Sequence, residues 1–173
     1  MKTIKKWRKN KYHAMLMDAA FIIVFLMVIS WWQNRGSLAA AGQAAPDFTL
    51  SALDGRVHQL SQYKDREVLV YFFAPWCSIC RYSADNLNNL RADRDESELM
   101  ILMVALSYKS KSEVEQFVKD LALEVPVLLG GEQQSQDYQI VGFPTYYVID
   151  QAGLLASKSM GYSTELGMRL RTW

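Results

Sequence analysis

The chain's only two cysteines directly follow an apolar run, and this arrangement constrains both the fold and the chemistry. The run is Val68–Phe73, and Cys77 and Cys80 follow it in the segment Trp-Cys-Ser-Ile-Cys. A short apolar run of this composition predicts a buried strand, and the residues after Cys77 predict a helix. Two thiols at the first turn of a helix, with C-x-x-C spacing, are suited to thiol–disulfide exchange.

Other uses of the cysteine pair fit the sequence less well. A structural zinc site needs four ligands, commonly Cys and His, and the only histidines are His13 and His58. A purely structural disulfide would close a very short loop and would stabilise little. We therefore predict a redox pair without metal or cofactor. Cys77 is expected to be the exposed nucleophile, favoured by the helix dipole, and Cys80, one helical turn on, is expected to resolve the mixed disulfide.

A basic tail and an apolar segment occupy the start of the chain. Residues 1–13 carry six Lys and Arg side chains and no acid, whereas residues 14–32 carry a single charge, Asp18, and end in two tryptophans. About 20 mostly apolar residues span a bilayer, and preceding basic residues predict a cytoplasmic N-terminus. We therefore predict a single transmembrane anchor at 14–32, with the remainder of the chain exported, rather than nucleic-acid binding by the tail.

Two alternatives to the anchor are disfavoured by the sequence. A cleaved signal peptide would use Ala39–Ala41, but this site lies well beyond the apolar core, with Arg35 in between. A buried core helix is disfavoured because the segment has no polar face. After the anchor, a small and polar linker is predicted at 33–45, and one folded domain at 46–173.

Predicted strands and helices alternate along the folded domain. A hairpin is expected around Asp54-Gly55, followed by a helical turn at 60–63. Strands are expected at 67–73, 99–106, 125–129, 145–149 and 154–160; helices are expected at 79–94, after the Ser110–Glu113 capping box, at 131–138 and at 163–171. This order predicts a mixed sheet with helices on both faces and an antiparallel final strand pair.

Several side chains receive structural rather than functional interpretations. Met100 and Met103 lie in a predicted buried strand and are expected to be core residues, not copper ligands. His58 is expected at the surface, and of the alternating Tyr146 and Tyr147 one is expected in the core. The inward face of the helix after Cys77 is predicted to comprise Ile79, Ser83, Leu87 and Leu90.

Two stretches together resemble the thioredoxin superfamily. One runs from Ala45-Pro-Asp-Phe-Thr-Leu through Trp76-Cys-Ser-Ile-Cys-Arg81, and the other is Gly142-Phe-Pro-Thr-Tyr-Tyr-Val-Ile-Asp-Gln-Ala-Gly153. The most similar branch is the TlpA/ResA-like family of membrane-anchored, exported thiol–disulfide oxidoreductases. The resemblance implies a thioredoxin-like fold with an N-terminal β-hairpin extension. It also implies a cis Pro144 packed against the cysteines, and an active-site wall of Trp76, Phe143, Pro144 and Thr145.

The resemblance also implies a function. The expected protein is a periplasmic, membrane-tethered oxidoreductase that reduces the disulfides of protein substrates. It is expected to be a monomer. Its electrons would come from a membrane thiol transporter, and cytochrome c maturation is one process that fits. Alternatives are a disulfide oxidase or isomerase, and a redox-sensing or metallochaperone module. A peroxidase is disfavoured because Val70 and Ala74 replace the Pro and Thr or Ser of the P-x-x-x-[TS]-x-x-C motif.

The sequence departs from the family at three positions near the cysteines. Tyr71 replaces the carboxylate that many thioredoxins carry six residues before the first cysteine. Ser83 replaces a Glu often found three residues after the second cysteine, and Asp85 replaces a helix proline. Proton transfer at Cys80 therefore has no obvious side chain, which leaves water or Asp85 as candidates.

Overall fold

The computed structural model describes residues 15–25, 28 and 42–172 of the chain. Two units are distinguished, residues 1–36 and residues 37–173. In the first unit, residues 15–25 and Val28 are helical and exposed. No helix in the described parts of the chain is both long and apolar enough to cross a bilayer. The basic tail at 1–13, much of the anchor predicted at 14–32 and linker residues 33–41 lie outside the described residues, and these assignments stay predictions.

The second unit begins with a small antiparallel hairpin. Strands β1 (Thr49–Ser51) and β2 (Val57–Gln59) pair across the predicted Asp-Gly turn, where Gly55 has a φ of 87°. Glycine adopts this left-handed conformation without a steric penalty. A 3₁₀ turn at Leu60–Tyr63 follows directly. The predicted hairpin and helical turn are both confirmed.

Five strands form the central mixed sheet, in the order β5-β4-β3-β6-β7. Their bounds are β3 Glu67–Phe73, β4 Leu99–Ala105, β5 Val127–Leu129, β6 Thr145–Ile149 and β7 Leu155–Met160. Strands β3, β4 and β5 are parallel, whereas β6 and β7 run antiparallel to their neighbours. The carboxyl ends of β3 and β4 therefore lie at the same edge of the sheet, and the antiparallel final pair is confirmed.

Four helices connect or follow these strands. Their bounds are α1 Ser78–Asp93, α2 Lys111–Asp120, α3 Glu132–Asp137 and α4 Glu165–Arg169. At the start of α2 the Ser110 side chain accepts a hydrogen bond from the Glu113 backbone, as predicted. The Glu113 carboxylate accepts from the backbone N–H of Lys109 at 2.8 Å, one residue ahead of the cap. The helix order matches the prediction, although β5 and α4 are shorter than expected.

Both faces of the sheet are buried, which explains the uninterrupted apolar runs. On β3, Leu69, Tyr71 and Phe73 point into one apolar cluster together with both cysteines. Their alternating neighbours Val68, Val70 and Phe72 point into a second cluster on the other face. Side chains alternate between the two faces of a strand, so Tyr146 and Tyr147 are both buried, one in each cluster. Met100 and Met103 are core residues, as predicted.

The predicted exposures of His58 and Ile79 are wrong. His58 is only 8% exposed, because β2 turns this side chain inward, where Nδ1 lies 2.5 Å from the Tyr63 hydroxyl. Ile79 is 49% exposed, because the face of α1 that packs on the core is the one that carries Cys80, and Ile79 lies outside it. The buried residues of this helix are Cys80, Ser83, Ala84, Leu87 and Leu90.

Candidate active site

The two cysteines form a disulfide at the amino end of α1. Cys77 is the N-cap residue of this helix, and its Sγ accepts a hydrogen bond from the Cys80 backbone N–H at 3.1 Å. The Cys77 carbonyl accepts from the Arg81 N–H at 3.2 Å, which begins the helical hydrogen-bond pattern. A thiolate at Cys77 would lie at the positive end of the helix dipole and near unpaired backbone donors, which favour negative charge.

The two cysteines differ in their access to solvent. Cys77 retains 7% of its exposure, whereas Cys80 retains none. The predicted exposure of Cys77 is therefore wrong, because the N-cap position folds its side chain back over the first turn of α1. Of the two cysteines, only Cys77 has any surface that an incoming disulfide could reach. This agrees with the prediction that Cys77 attacks and Cys80 resolves.

Trp76 forms one side of the site, and two contacts fix its side chain. Its indole Nε1–H donates a hydrogen bond to the backbone oxygen of Ser107 at 2.8 Å. Its ring meets the Phe143 ring edge-on, with centroids 5.9 Å apart. The side chain is nevertheless 61% exposed. An exposed aromatic surface with a fixed orientation lies directly before the disulfide.

The segment from Phe143 to Thr145 lies next to Trp76, whose ring the Phe143 ring contacts. The Phe143–Pro144 peptide bond is cis, as the resemblance implied. Phe143 packs against the apolar cluster that contains both cysteines. The Pro144 carbonyl accepts a hydrogen bond from the Gly161 N–H at 2.8 Å. Thr145 is buried, and its hydroxyl donates to the Gly142 carbonyl at 2.8 Å. Its side chain thus supports the turn from within.

A pair of buried hydroxyls lies in the same part of the core as the two cysteines. Tyr71 and Ser83 are both fully buried, and their hydroxyl groups hydrogen bond to each other. Ser83 follows Cys80 by three residues on the buried face of α1. Burial raises the pKa of Tyr71 well above its ordinary value; the hydrogen bond with Ser83 opposes this shift, and Tyr146 adds to it. Tyr71 is therefore a neutral phenol at physiological pH, and two of the three positions that depart from the family pattern contact each other.

The Tyr71 ring connects this pair to the surface. It stacks on the ring of Tyr146, its partner on β6, with centroids 6.4 Å apart. The Tyr146 hydroxyl accepts a hydrogen bond from Nη1 of the exposed Arg171 at 3.1 Å. Asp85, the acid considered for proton transfer, is exposed and lies about 140° around the helix from Cys80. The neutral hydroxyls, rather than Asp85, share the buried face with Cys80.

The role of Ser107 was not found from the sequence. Its carbonyl fixes Trp76, and its own φ of 52° places it in the left-handed region. Ser107 follows β4, the parallel neighbour of β3. Functional loops of open α/β sheets gather at the carboxyl ends of parallel strands. This rule was the available signal, because both Trp76 and Ser107 follow such strand ends. Within the described ranges, no group of three or more His, Cys, Asp or Glu side chains could hold a metal ion.

The sequence matches the AhpC/TSA family over residues 41–158. It is 30% identical over 128 residues to the thioredoxin-like protein YneN of Bacillus subtilis, covering 73% of this chain and 75% of the relative. It is 28% identical over 150 residues to the thiol-disulfide oxidoreductase ResA of Geobacillus kaustophilus, covering 83% and 86% of the two chains.

The fold also matches nearly the whole length of a solved structure. A putative thiol:disulfide interchange protein DsbE from Chlorobium tepidum superposes with a TM-score of 0.70 at 25% identity, covering 78% of this chain and 99% of that one. The Cys77–Cys80 pair at the helix cap and the cis Pro144 are consistent with these similarities. The chain belongs to the AhpC/TSA family, as a TlpA/ResA-like thiol–disulfide oxidoreductase.

Proposed function

We propose that this protein is a membrane-tethered, extracytoplasmic reductant of protein disulfides that acts through Cys77 and Cys80. The position of Cys77 carries the proposal. It caps α1, it accepts a hydrogen bond from the Cys80 N–H, and it has the only solvent access of the pair. This combination provides an attacking thiolate and a protected second thiol, which the two halves of disulfide exchange require.

The exchange proceeds in two balanced steps. The Cys77 thiolate attacks one sulfur of a substrate disulfide, forms a mixed disulfide and releases the other substrate sulfur as a thiolate. Cys80 then loses its proton and attacks the Cys77 sulfur. This step releases the second substrate thiolate and forms the Cys77–Cys80 disulfide. Two electrons pass to the substrate, so a thiol donor must reduce the pair before the next cycle.

The N-terminal sequence supports the location. Six basic residues precede an apolar segment at 14–32, the pattern of a single-pass anchor with its N-terminus in the cytoplasm. The domain then lies in the periplasm or an equivalent space outside the bacterial cytoplasmic membrane. Disulfides persist in such compartments, so a reductant there needs electrons delivered across the membrane. A membrane thiol transporter is the expected donor, and polypeptides with cysteines are the expected substrates.

Trapping in cells tests the roles of the two cysteines. The full-length Cys80→Ala variant should accumulate mixed disulfides between Cys77 and substrate polypeptides, because the resolving step is removed. These adducts should vanish on reduction before non-reducing electrophoresis. The Cys77→Ala variant is the matched control and should trap almost nothing. Trapping by Cys77→Ala but not by Cys80→Ala would reverse the assigned roles.

The redox state of the pair tests the direction of transfer. In a reductant, alkylation of thiols in intact cells should find Cys77 and Cys80 mainly reduced, and loss of the electron donor should oxidise them. A pair that is oxidised in cells and has a potential near about −120 mV, as in the strongly oxidising enzymes, would instead identify a disulfide oxidase.

A further inference from the structure

We propose that a cavity beside Trp76 binds a Lys or Arg side chain of the substrate polypeptide and that Glu132 determines this preference. The inference rests on the proposed function and specifies its substrate class: polypeptides with a basic residue close to the reacting cysteine. It concerns a part of the fold that the cysteine chemistry itself does not use, the segment between β5 and α3.

The cavity has a volume of about 420 Å³. One wall is the loop after β4, including Ser107 and Tyr108, and the facing wall is Gly130 to Glu132 with Ser135 of α3. Phe143 contributes a third side. The volume falls in the range of small-ligand pockets, roughly 300–1,000 Å³, and accommodates a long side chain.

Two of the lining residues belong to the active-site wall as well. Phe143 directly precedes the cis Pro144, and its ring contacts Trp76 edge-on. Ser107 accepts the hydrogen bond from the Trp76 indole. Trp76, which directly precedes Cys77, therefore contacts two residues that line the cavity. A substrate advances about 3.3–3.6 Å per extended residue. We expect a long side chain close in sequence to the reacting cysteine to pass Trp76 and enter the cavity.

The chemistry of the lining favours a long cation. Phe143, Tyr108 and Leu106 supply apolar surface, and Glu132 is the only charged residue among the cavity's lining residues. Lys and Arg bury an apolar stem while the charged end stays in water, and aromatic faces attract cations. Glu132 is exposed and accepts a hydrogen bond from Gln136 Nε2 at 3.0 Å, which orients its carboxylate. A carboxylate accepts several hydrogen bonds, so it can also pair with a substrate cation.

Reduction of matched peptide disulfides by the full-length protein tests the proposal. Three peptide series differ only in carrying Lys, Gln or Glu at the positions flanking one cysteine. We expect second-order rate constants for Lys peptides about two- to five-fold above those for Gln peptides at low salt, the size expected of an exposed ion pair. Glu peptides should react more slowly than Gln peptides, and high salt should reduce both differences.

The Glu132→Gln variant should bring the Lys-to-Gln ratio to about one, and Glu132→Lys should invert it. Asp137→Asn is the matched control: it removes an acid from the same helix, where Asp137 accepts from Gln133 and does not line the cavity. This control should keep the wild-type ratio. Equal rates for all peptides with the wild-type protein, or an unchanged ratio in Glu132→Gln, would overturn the inference and leave the proposed function intact. Failure to reduce any peptide would overturn both.

Discussion

The hydroxyl groups of Tyr71 and Ser83 hydrogen bond to each other in the buried core that also contains Cys77 and Cys80. Each group satisfies the other, and both are removed from solvent. A buried polar group without a partner costs free energy, whereas a buried pair that satisfies itself does not carry this cost. The pair therefore behaves as one unit in which neither residue can change alone without a penalty.

The coupling of this pair predicts the outcome of a double-mutant cycle. Tyr71→Phe or Ser83→Ala alone should lower the free energy of unfolding of the oxidised protein by about 1–3 kcal/mol, because each leaves one buried hydroxyl unpaired. The double variant should be more stable than the sum of the single effects implies. Urea unfolding measures all four proteins. Additive effects, or single effects below about 0.5 kcal/mol, would contradict this interpretation.

Asp47 should make stability depend on pH. Its carboxylate accepts hydrogen bonds from the backbone and side chain of Ser61, from Gln59 and from the Phe48 N–H, at 2.9–3.0 Å. Burial would raise the pKa of Asp47, but the hydrogen bonds from Gln59, Ser61 and Phe48 outweigh it and hold this pKa below its ordinary value.

A carboxyl whose pKa is lower in the folded state contributes stability above the pKa of the unfolded chain, about 3.9, and loses it as pH falls through the folded-state value. The difference in melting temperature between wild type and Asp47→Asn should therefore be full at pH 6 and should shrink as pH falls below about 4. Asp54→Asn, which alters an exposed acid paired with Arg56, is the control. A difference for Asp47→Asn that stays constant from pH 6 to pH 3 would show that its hydrogen bonds do not prefer the charged form.

Gly130 should not tolerate a side chain. A Cβ at this position would lie 2.6 Å from Val104 Cγ1 and 2.9 Å from Leu106 Cδ2. Because both atoms belong to buried side chains at the end of β4, Gly130→Ala should destabilise the fold by about 1–3 kcal/mol. Its neighbour provides the comparison, since a Cβ on Gly131 would meet nothing nearer than Gln134 Oε1 at 3.9 Å. Thermal unfolding should separate the two variants clearly, and equal melting temperatures would refute the predicted clash.

Trp76 should affect the reaction more than the stability. Trp76→Phe keeps an aromatic ring beside Phe143 but removes the hydrogen bond to Ser107. Loss of one such bond is worth about 1 kcal/mol, so we expect a rate of peptide-disulfide reduction about two- to five-fold lower. The melting temperature should change little because Trp76 is 61% exposed. Tyr82→Phe, on the exposed side of α1, should leave both quantities unchanged. An unaltered rate in Trp76→Phe would show that the indole hydrogen bond does not position the wall.

Local pattern was sufficient to predict the elements and the position of the cysteine pair at a helix start. The strand predicted at 67–73 matches β3 to the residue, and the Asp-Gly turn joins β1 and β2. The spacing of Cys77 and Cys80 indicated a redox pair at a helix start, and the resemblance added the cis Pro144. These features depend on neighbours a few residues apart, where periodicity, turn chemistry and helix capping act directly.

Only the tertiary structure decided which distant residues meet. The sequence marked Tyr71 and Ser83 as two separate departures, whereas the packing of α1 on β3 makes them hydrogen-bond partners. The sequence pattern predicted His58 at the surface and Ile79 in the core. The orientations of β2 and α1 instead bury His58 and expose Ile79. The contact of Trp76 with Ser107 and the cavity at Glu132 arise because β3 and β4 are parallel and end at one edge. Such contacts depend on strand order and helix rotation, which short-range sequence patterns do not specify.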